Sequence, residues 1–325
     1  MPGTPIRLNA SVRPLVQDAL FAGAAPLRVQ ARTYESGSTV VDFGVEAVGG
    51  LEAGLVLARV CLADLAKVQL SAASDAPWPA VEVFTDHPVL ACLASQYAGW
   101  EIKGEKFFAM GSGPMRAVAA REPLFDEMGC REAIEPHVNE DCFGVLESGK
   151  LPPESVCCDI AAKCGVAPDC LTLLVAPTRS LAGTLQIVAR SVETALHKLH
   201  ELKFDLRRVV SGFGSAPLPP PAPEDLTAIG RTNDAILYGG RAVLYVRGDD
   251  ASLAEIGPRV PSSASVDYGR PFAETLAAYD NDFYRVDPLL FSPARVTFVN
   301  LDTGRLFAFG AVNEDLLRQS FAVPA

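Results

Sequence analysis

The segment SAPLPPPAPED, residues 215–225, sets the firmest limit on how this chain folds. Prolines at 217, 219, 220, 221 and 223 restrict φ and remove backbone donors, so the stretch cannot form a regular helix. It favours an extended, polyproline-type path, which suits either a linker between domains or the stiff wall of a cleft. A softer break lies in SGKLPP at 148–153. Around these breaks, apolar spacing predicts helices near 9–21, 52–68, 114–121, 154–164, 180–202 and 272–279. It predicts strands near 26–33, 38–46, 80–84, 170–176, 205–211, 242–247 and 295–309. The alternation indicates a mixed α/β (α+β) fold. Two subdomains are expected, 1–150 and 151–325, with the chain free to cross between them and a ligand cleft where they meet.

The 39 acidic and 28 basic side chains leave a net charge of −11, which argues against a nucleic-acid-binding face and against anionic membrane surfaces. The N-terminal MPGTPIRLNASVRPLVQ shows no basic region followed by an apolar run, and GGLEAGLVLARVCLADLAKV is interrupted by Glu52, Arg59, Asp64 and Lys67. A soluble, cytoplasmic protein is expected. The eight cysteines form neither a disulfide framework nor a CxxC pair. In ESVCCDIAAKCG they fit a helix as small apolar residues.

The helix predicted over 180–202 carries Leu181, Leu185, Val188, Val192, Leu196 and Leu199 on one side. The other side carries Gln186, Arg190, Glu193, His197 and His200. Taken alone, Arg190 and Glu193 read as a solvated i, i+3 ion pair worth a few tenths of a kcal/mol. Two details point elsewhere. Gly183 stands on the Arg190 side, where a missing side chain leaves room for an approaching group at a cost of roughly 1 kcal/mol in propensity. The carboxylate, guanidinium and amide together also suit positioning and deprotonating a water. His197 and His200 lack the i, i+4 spacing typical of zinc helices, and no metal is expected.

Several stretches together resemble the bacterial, methylotroph-type methenyltetrahydromethanopterin cyclohydrolase family. They are TDHPVLACLASQYAGW (85–100), KFFAMGSGPMRA (106–117), LVAPTRSLAGTLQIVARSVETALHKLH (174–200), SGFGSAPLPP (211–220), GRTNDAILYGG (230–240), YDNDFYRVDP (279–288) and LFSPA (290–294). The resemblance implies reversible addition of water to the methenyl bridge of a tetrahydropterin one-carbon carrier, giving the N-formyl derivative, as in formaldehyde oxidation. It also implies no metal or redox cofactor, a homotrimer, and two α/β subdomains around a central pterin pocket.

On this resemblance Arg190 and Glu193 match the family's catalytic pair, with Glu193 the base toward water and Arg190 orienting it. Glu147, in FGVLESGKLPP, matches a glutamate that assists proton transfer, although an isolated acid of this kind also fits a solvated loop edge. Lys106 matches less well, with Lys103 close by. Gly111, Ser112 and Gly113 are expected to offer backbone N–H groups to an anion, although alone they mark a turn. Gly183 is expected to make the gap that admits the ligand. Arg231, Asn233 and Asp234 are expected either to line the pterin pocket or to form a turn leading into a strand at Ala242.

YDNDFYRVDP lacks the central glycine and terminal glutamate of a calcium loop. Departures from the family pattern fall at Arg59, Ala63, Asp64 and Phe125, which bear on packing more than chemistry. Two other functional classes make different demands on the sequence. A non-catalytic pterin-binding protein on the same fold would not need the Arg190–Glu193 pair. A zinc deaminase would need an H-x-E and P-C-x-x-C set that this chain does not contain.

Overall fold

A computed structural model describes residues 6–21, 23–72, 76–97, 99–119, 124–127 and 140–322. Numbered along the chain, the first strands are β1 (Gln30–Thr33), β2 (Thr39–Asp42), β3 (Lys67–Ser71), β4 (Ala80–Thr85), β5 (Trp100–Gly104) and β6 (Phe107–Ser112). The remainder are β7 (Cys142–Glu147), β8 (Leu171–Ala176), β9 (Val209–Pro217), β10 (Arg241–Val246), β11 (Arg295–Asn300) and β12 (Leu306–Gly310). The fold is α+β, with two compact units: Met1–Ala66 with Leu90–Gln186, and Lys67–Val89 with Ile187–Ala325. The break expected near residue 150 falls inside the first unit. There the SGKLPP loop joins β7 to the Glu154–Cys164 helix, and Leu146, Val156, Cys157 and Ile160 share one core.

In the first unit the strand order is β1-β2-β8-β7-β6-β5. The β2–β8 and β8–β7 pairs are parallel, and the others are antiparallel. The Glu154–Cys164 helix forms where expected, its buried face made by Val156, Cys157, Ile160, Ala161 and Cys164, and Gly165 ends it in the left-handed region at φ 68°. Cys157 and Cys164 act as core residues while Cys158 is half-buried; the seven described cysteines are free, and burial pushes the Cys157 thiol up to about 11. Cys130 lies outside the described residues. The helix expected over 52–68 stops at Cys61, because Ala63 and Asp64 adopt positive φ and Asp64 accepts the Arg59 guanidinium at 2.8 Å. Lys67 then opens β3.

In the second unit the order is β12-β11-β10-β9-β4-β3, parallel only between β10 and β11. The proline segment is part of this unit rather than a linker between units. It starts as the end of β9, where Pro217 pairs with Ala80. Arg231 Nη1 then donates to the carbonyls of Pro220 (3.1 Å) and Pro221 (3.4 Å). GRTNDAILYGG is not a turn but forms the second half of the Asp225–Gly239 helix and its cap, and the strand expected from Ala242 follows as β10. That helix packs against the Phe272–Ala278 and Glu314–Ser320 helices, a burial that outweighs the turn propensity of Asn233 and Asp234. No described helix is long and apolar enough to cross a membrane.

Candidate active site

The 180–202 stretch forms two helices, Leu181–Val188 and Ser191–Glu201, instead of one. At the break Arg190 N–H donates to the Ile187 carbonyl at 3.1 Å, and the Arg190 carbonyl then accepts from Thr194 N–H at 2.9 Å to start the second helix. Arg190 is therefore the capping residue (φ −92°, ψ 13°), and Glu193 stands in the first turn. There the helix dipole favours a negative charge, which a mid-helix position would not. Both side chains are buried, Arg190 at 6% and Glu193 at 3% exposure, so the solvated surface pair is excluded.

Two glycines of SGFGSAP set the depth of this helix start against β9. A β-carbon on Gly214 would fall 2.3 Å from Ser191 Oγ, and one on Gly212 would fall 2.8 Å from Val192 Cγ1. Val192, Ala195, Leu196 and Leu199 complete the buried contact of this helix. Lys198 of the same helix is also buried, and its ammonium donates to the Leu289 carbonyl. Burial pushes the amine down to about 8, against the pull of Asp287.

In the first unit Glu147 closes β7, opposite Ala176 on the parallel strand β8 and Met110 on β6. The carboxyl ends of parallel strands are where α/β sheets commonly hold ligands. Gln186 Nε2 donates to Glu147 Oε1 at 3.1 Å. The Cys61 thiol donates to Gln186 Oε1 at 3.5 Å and lies 3.5 Å from Ser112 Oγ. Cys61 reaches Gln186 because Gly54 lets the Leu51–Cys61 helix close on Ala182 and Leu185; a β-carbon there would fall 2.9 Å from Leu185 Cβ. No spacing in the sequence signalled the Cys61–Gln186–Glu147 chain, since its members come from three distant segments.

The family model described as Cyclohydrolase (MCH) matches residues 7–321. A methenyltetrahydromethanopterin cyclohydrolase of Methylobacillus flagellatus is 49% identical over 320 residues, covering 98% of this chain and 96% of the relative. One from Xanthobacter autotrophicus is 50% identical, covering 97% and 93%. The chain belongs to the methenyltetrahydromethanopterin cyclohydrolase family. A relative of the same name from Methanosarcina barkeri is 42% identical over 302 residues, covering 91% of this chain and 92% of the relative.

The remaining candidates for cyclohydrolase chemistry fare differently. Gly183 makes no gap for a ligand. A β-carbon there would lie 2.0 Å from the Pro177 carbonyl oxygen, so the space is taken by the chain's own 177–180 turn, which Ser180 Oγ ties to Gly183 N–H at 3.0 Å. Gly111 and Ser112 are rungs of β6 against β7, and Gly113 N–H is taken by the Ser95 carbonyl at 2.8 Å, so the three do not form an open anion cradle. Lys106 stands exposed at the β5–β6 hairpin tip, four residues from the strand partner of Glu147, about 13 Å along the strand. Lys103 pairs with Glu101 at 2.5 Å.

Arg231 is spent on the proline segment and on the Ser320 carbonyl (3.2 Å), and Asn233 on the Ile229 carbonyl (2.8 Å). Asp234 is buried and accepts from Phe272 N–H and Ser320 Oγ, so these three serve packing within the second unit instead of presenting donors to a pterin edge. His197 Nε2 and His200 Nδ1 lie 4.0 and 3.9 Å from Glu201 Oε1. Among the described residues no group of three or more His, Cys, Asp or Glu side chains converges on a metal position. A recess of about 80 Å³ beside Trp78, Pro217, Arg241 and Arg318 contains none of the candidate residues.

Proposed function

We propose that this protein is a cyclohydrolase that reversibly hydrates the methenyl bridge of 5,10-methenyltetrahydromethanopterin to the N-formyl derivative. The observation that carries this reading is its family membership, together with a buried arginine and glutamate at one helix start. The methenyl carbon is an amidinium-type cation and so is electrophilic without further polarisation. Glu193 takes a proton from water as the oxygen adds to that carbon. Arg190 orients the carboxylate and balances its charge. The tetrahedral adduct then loses its hydroxyl proton as the carbonyl forms and one C–N bond breaks. The departing nitrogen takes up a proton. The balance is one water consumed and one proton released per turnover. Lys106, at an exposed hairpin tip, has no part in this scheme.

A non-catalytic pterin-binding role would leave the Arg190–Glu193 arrangement without purpose. The protein works without a metal or redox cofactor, in the cytoplasm, as a homotrimer serving one-carbon metabolism of the methylotroph type. Sedimentation and turnover after chelator treatment test the assembly and the cofactor statement. The central test follows loss of methenyl-cation absorbance with the purified protein. Glu193→Gln is expected to lower turnover by about 10²–10⁴, and Arg190→Ala is expected to lower it as well. Wild-type rates in both variants would overturn the assignment, and no activity on any methenyl-pterin would overturn the function.

A further inference from the structure

We infer that the recess beside Trp78 binds a small tetrahedral oxyanion, either inorganic phosphate or the phosphate group of a monoester. The recess belongs to the second unit and is formed by the end of β9, the start of β10 and the Glu314–Ser320 helix. Trp78, Ser215, Arg241 and Arg318 stand in its walls, and all four side chains carry donors. Among the described residues none of the four makes a side-chain hydrogen bond, and neither arginine is ion-paired. That sets the two apart from Arg7, Arg13, Arg247 and Arg285, each held against a carboxylate at 2.6–2.8 Å. The acid in the wall, Glu314, stands four residues before Arg318 yet forms no ion pair with it. Arg241 is also opposed, rung to rung, by Arg295 of β11, and both are exposed. Like charges directly opposite on a sheet destabilise it. An anion at Arg241 relieves that repulsion, and the planar guanidinium fork matches phosphate oxygens two at a time. The volume, about 80 Å³, suits one such ion and falls far below the roughly 300–1,000 Å³ of sites for larger ligands. The site is separate from the Arg190–Glu193 pair. Gly212 and Gly214 of β9 face the Ser191–Glu201 helix, whereas Ser215 and its partner Arg241 lie on the other face of the sheet.

The test is calorimetric titration of inorganic phosphate, and separately of ribose 5-phosphate, into four proteins at one fixed salt concentration: wild type, Arg241→Gln, Arg318→Gln and Arg32→Gln. Arg241 and Arg318 are exposed, so glutamine at either leaves the core intact. Arg32→Gln removes the same charge from β1 and controls for net charge. Wild type is expected to bind at least one probe saturably at a single site. Kd is expected to rise by about tenfold in Arg241→Gln and in Arg318→Gln, the size of one lost charge-assisted hydrogen bond. In Arg32→Gln it is expected to stay within about twofold of wild type, because solvent and salt screen a distant surface charge. Tighter binding of inorganic phosphate than of the sugar phosphate assigns the site to the free ion. Equal or tighter binding of the sugar phosphate assigns it to the phosphate group of a larger molecule. No saturable binding of either probe to wild type, an unchanged Kd in either recess variant, or an equal loss in Arg32→Gln would each overturn the site.

Discussion

Ser320 donates its hydroxyl to Asp234 Oδ2 at 2.6 Å, which joins the Glu314–Ser320 helix to the centre of the Asp225–Gly239 helix. The other carboxylate oxygen accepts Phe272 N–H at 2.8 Å, at the first turn of a third helix. Asp234 thus links all three helices through buried polar contacts, beside the Arg231–Ser320 bond that joins two of them. Burial pushes its carboxyl up to about 7 despite both hydrogen bonds, with Glu274 adding to the rise.

A stability profile follows from that shift. Between about pH 4 and pH 7 the folded protein holds a proton on Asp234 that the unfolded chain releases. The contribution of Asp234 to stability is therefore full below about pH 4 and declines as pH rises through the window. Asp234→Asn keeps an acceptor for Phe272 N–H and gains an N–H toward Ser320 Oγ, without a titrating group. Urea unfolding at pH 4.5, 6 and 7.5 is expected to show wild type losing ground to Asp234→Asn by on the order of a few kcal/mol across the range. Parallel curves would refute the linkage.

How much of this was legible in the sequence depends on what competes with local pattern. The Glu154–Cys164 helix was readable to the residue, because its apolar spacing and terminal Gly165 agree. β7 was missed: CFGVL is buried on both faces and shows no alternation. β5 and β6 were missed as well, since charged residues at 101, 103, 105 and 106 mask the buried Ile102, Phe107 and Ala109. The break at Arg190 has no Gly or Pro to mark it, and the helical period runs straight through. Periodicity could separate Arg190 and Glu193 from the apolar stripe. It could not show that their side is buried too, because burial there comes from segments distant in sequence.

Gly183 makes a second prediction, about stability rather than chemistry. The atom its β-carbon would meet at 2.0 Å is a backbone carbonyl oxygen, which cannot turn aside as a side chain would. Gly183→Ala is expected to cost more than about 2 kcal/mol by forcing the 177–180 turn off the helix start. Gly165→Ala is the control: nothing lies within 4 Å of that β-carbon, and only its positive φ opposes the change, for about 1 kcal/mol. Chemical denaturation of the two variants checks the order. A Gly183→Ala protein as stable as the Gly165→Ala protein would show that the turn can yield.

Gly214 and Ser191 make the third, on catalysis. The missing β-carbon of Gly214 is what allows Ser191 Oγ to sit against β9, and Ser191 opens the helix that carries Glu193 two residues later. Gly214→Ala sets a methyl 2.3 Å from that hydroxyl and lifts the first turn, displacing Arg190 and Glu193 together. Misplacement on the order of 1 Å can cost about 10²-fold in turnover, so kcat is expected to fall by about 10–10². Ser191→Ala removes the clashing oxygen, after which the nearest atoms are Val192 Cγ2 at 2.9 Å and the Cβ of residue 191 at 3.1 Å. The double variant Gly214→Ala/Ser191→Ala is therefore expected to recover most of the lost kcat, a coupling that additive effects would not produce. If the double variant is as slow as the product of the single effects, the depth of the helix start against β9 does not govern the catalytic pair.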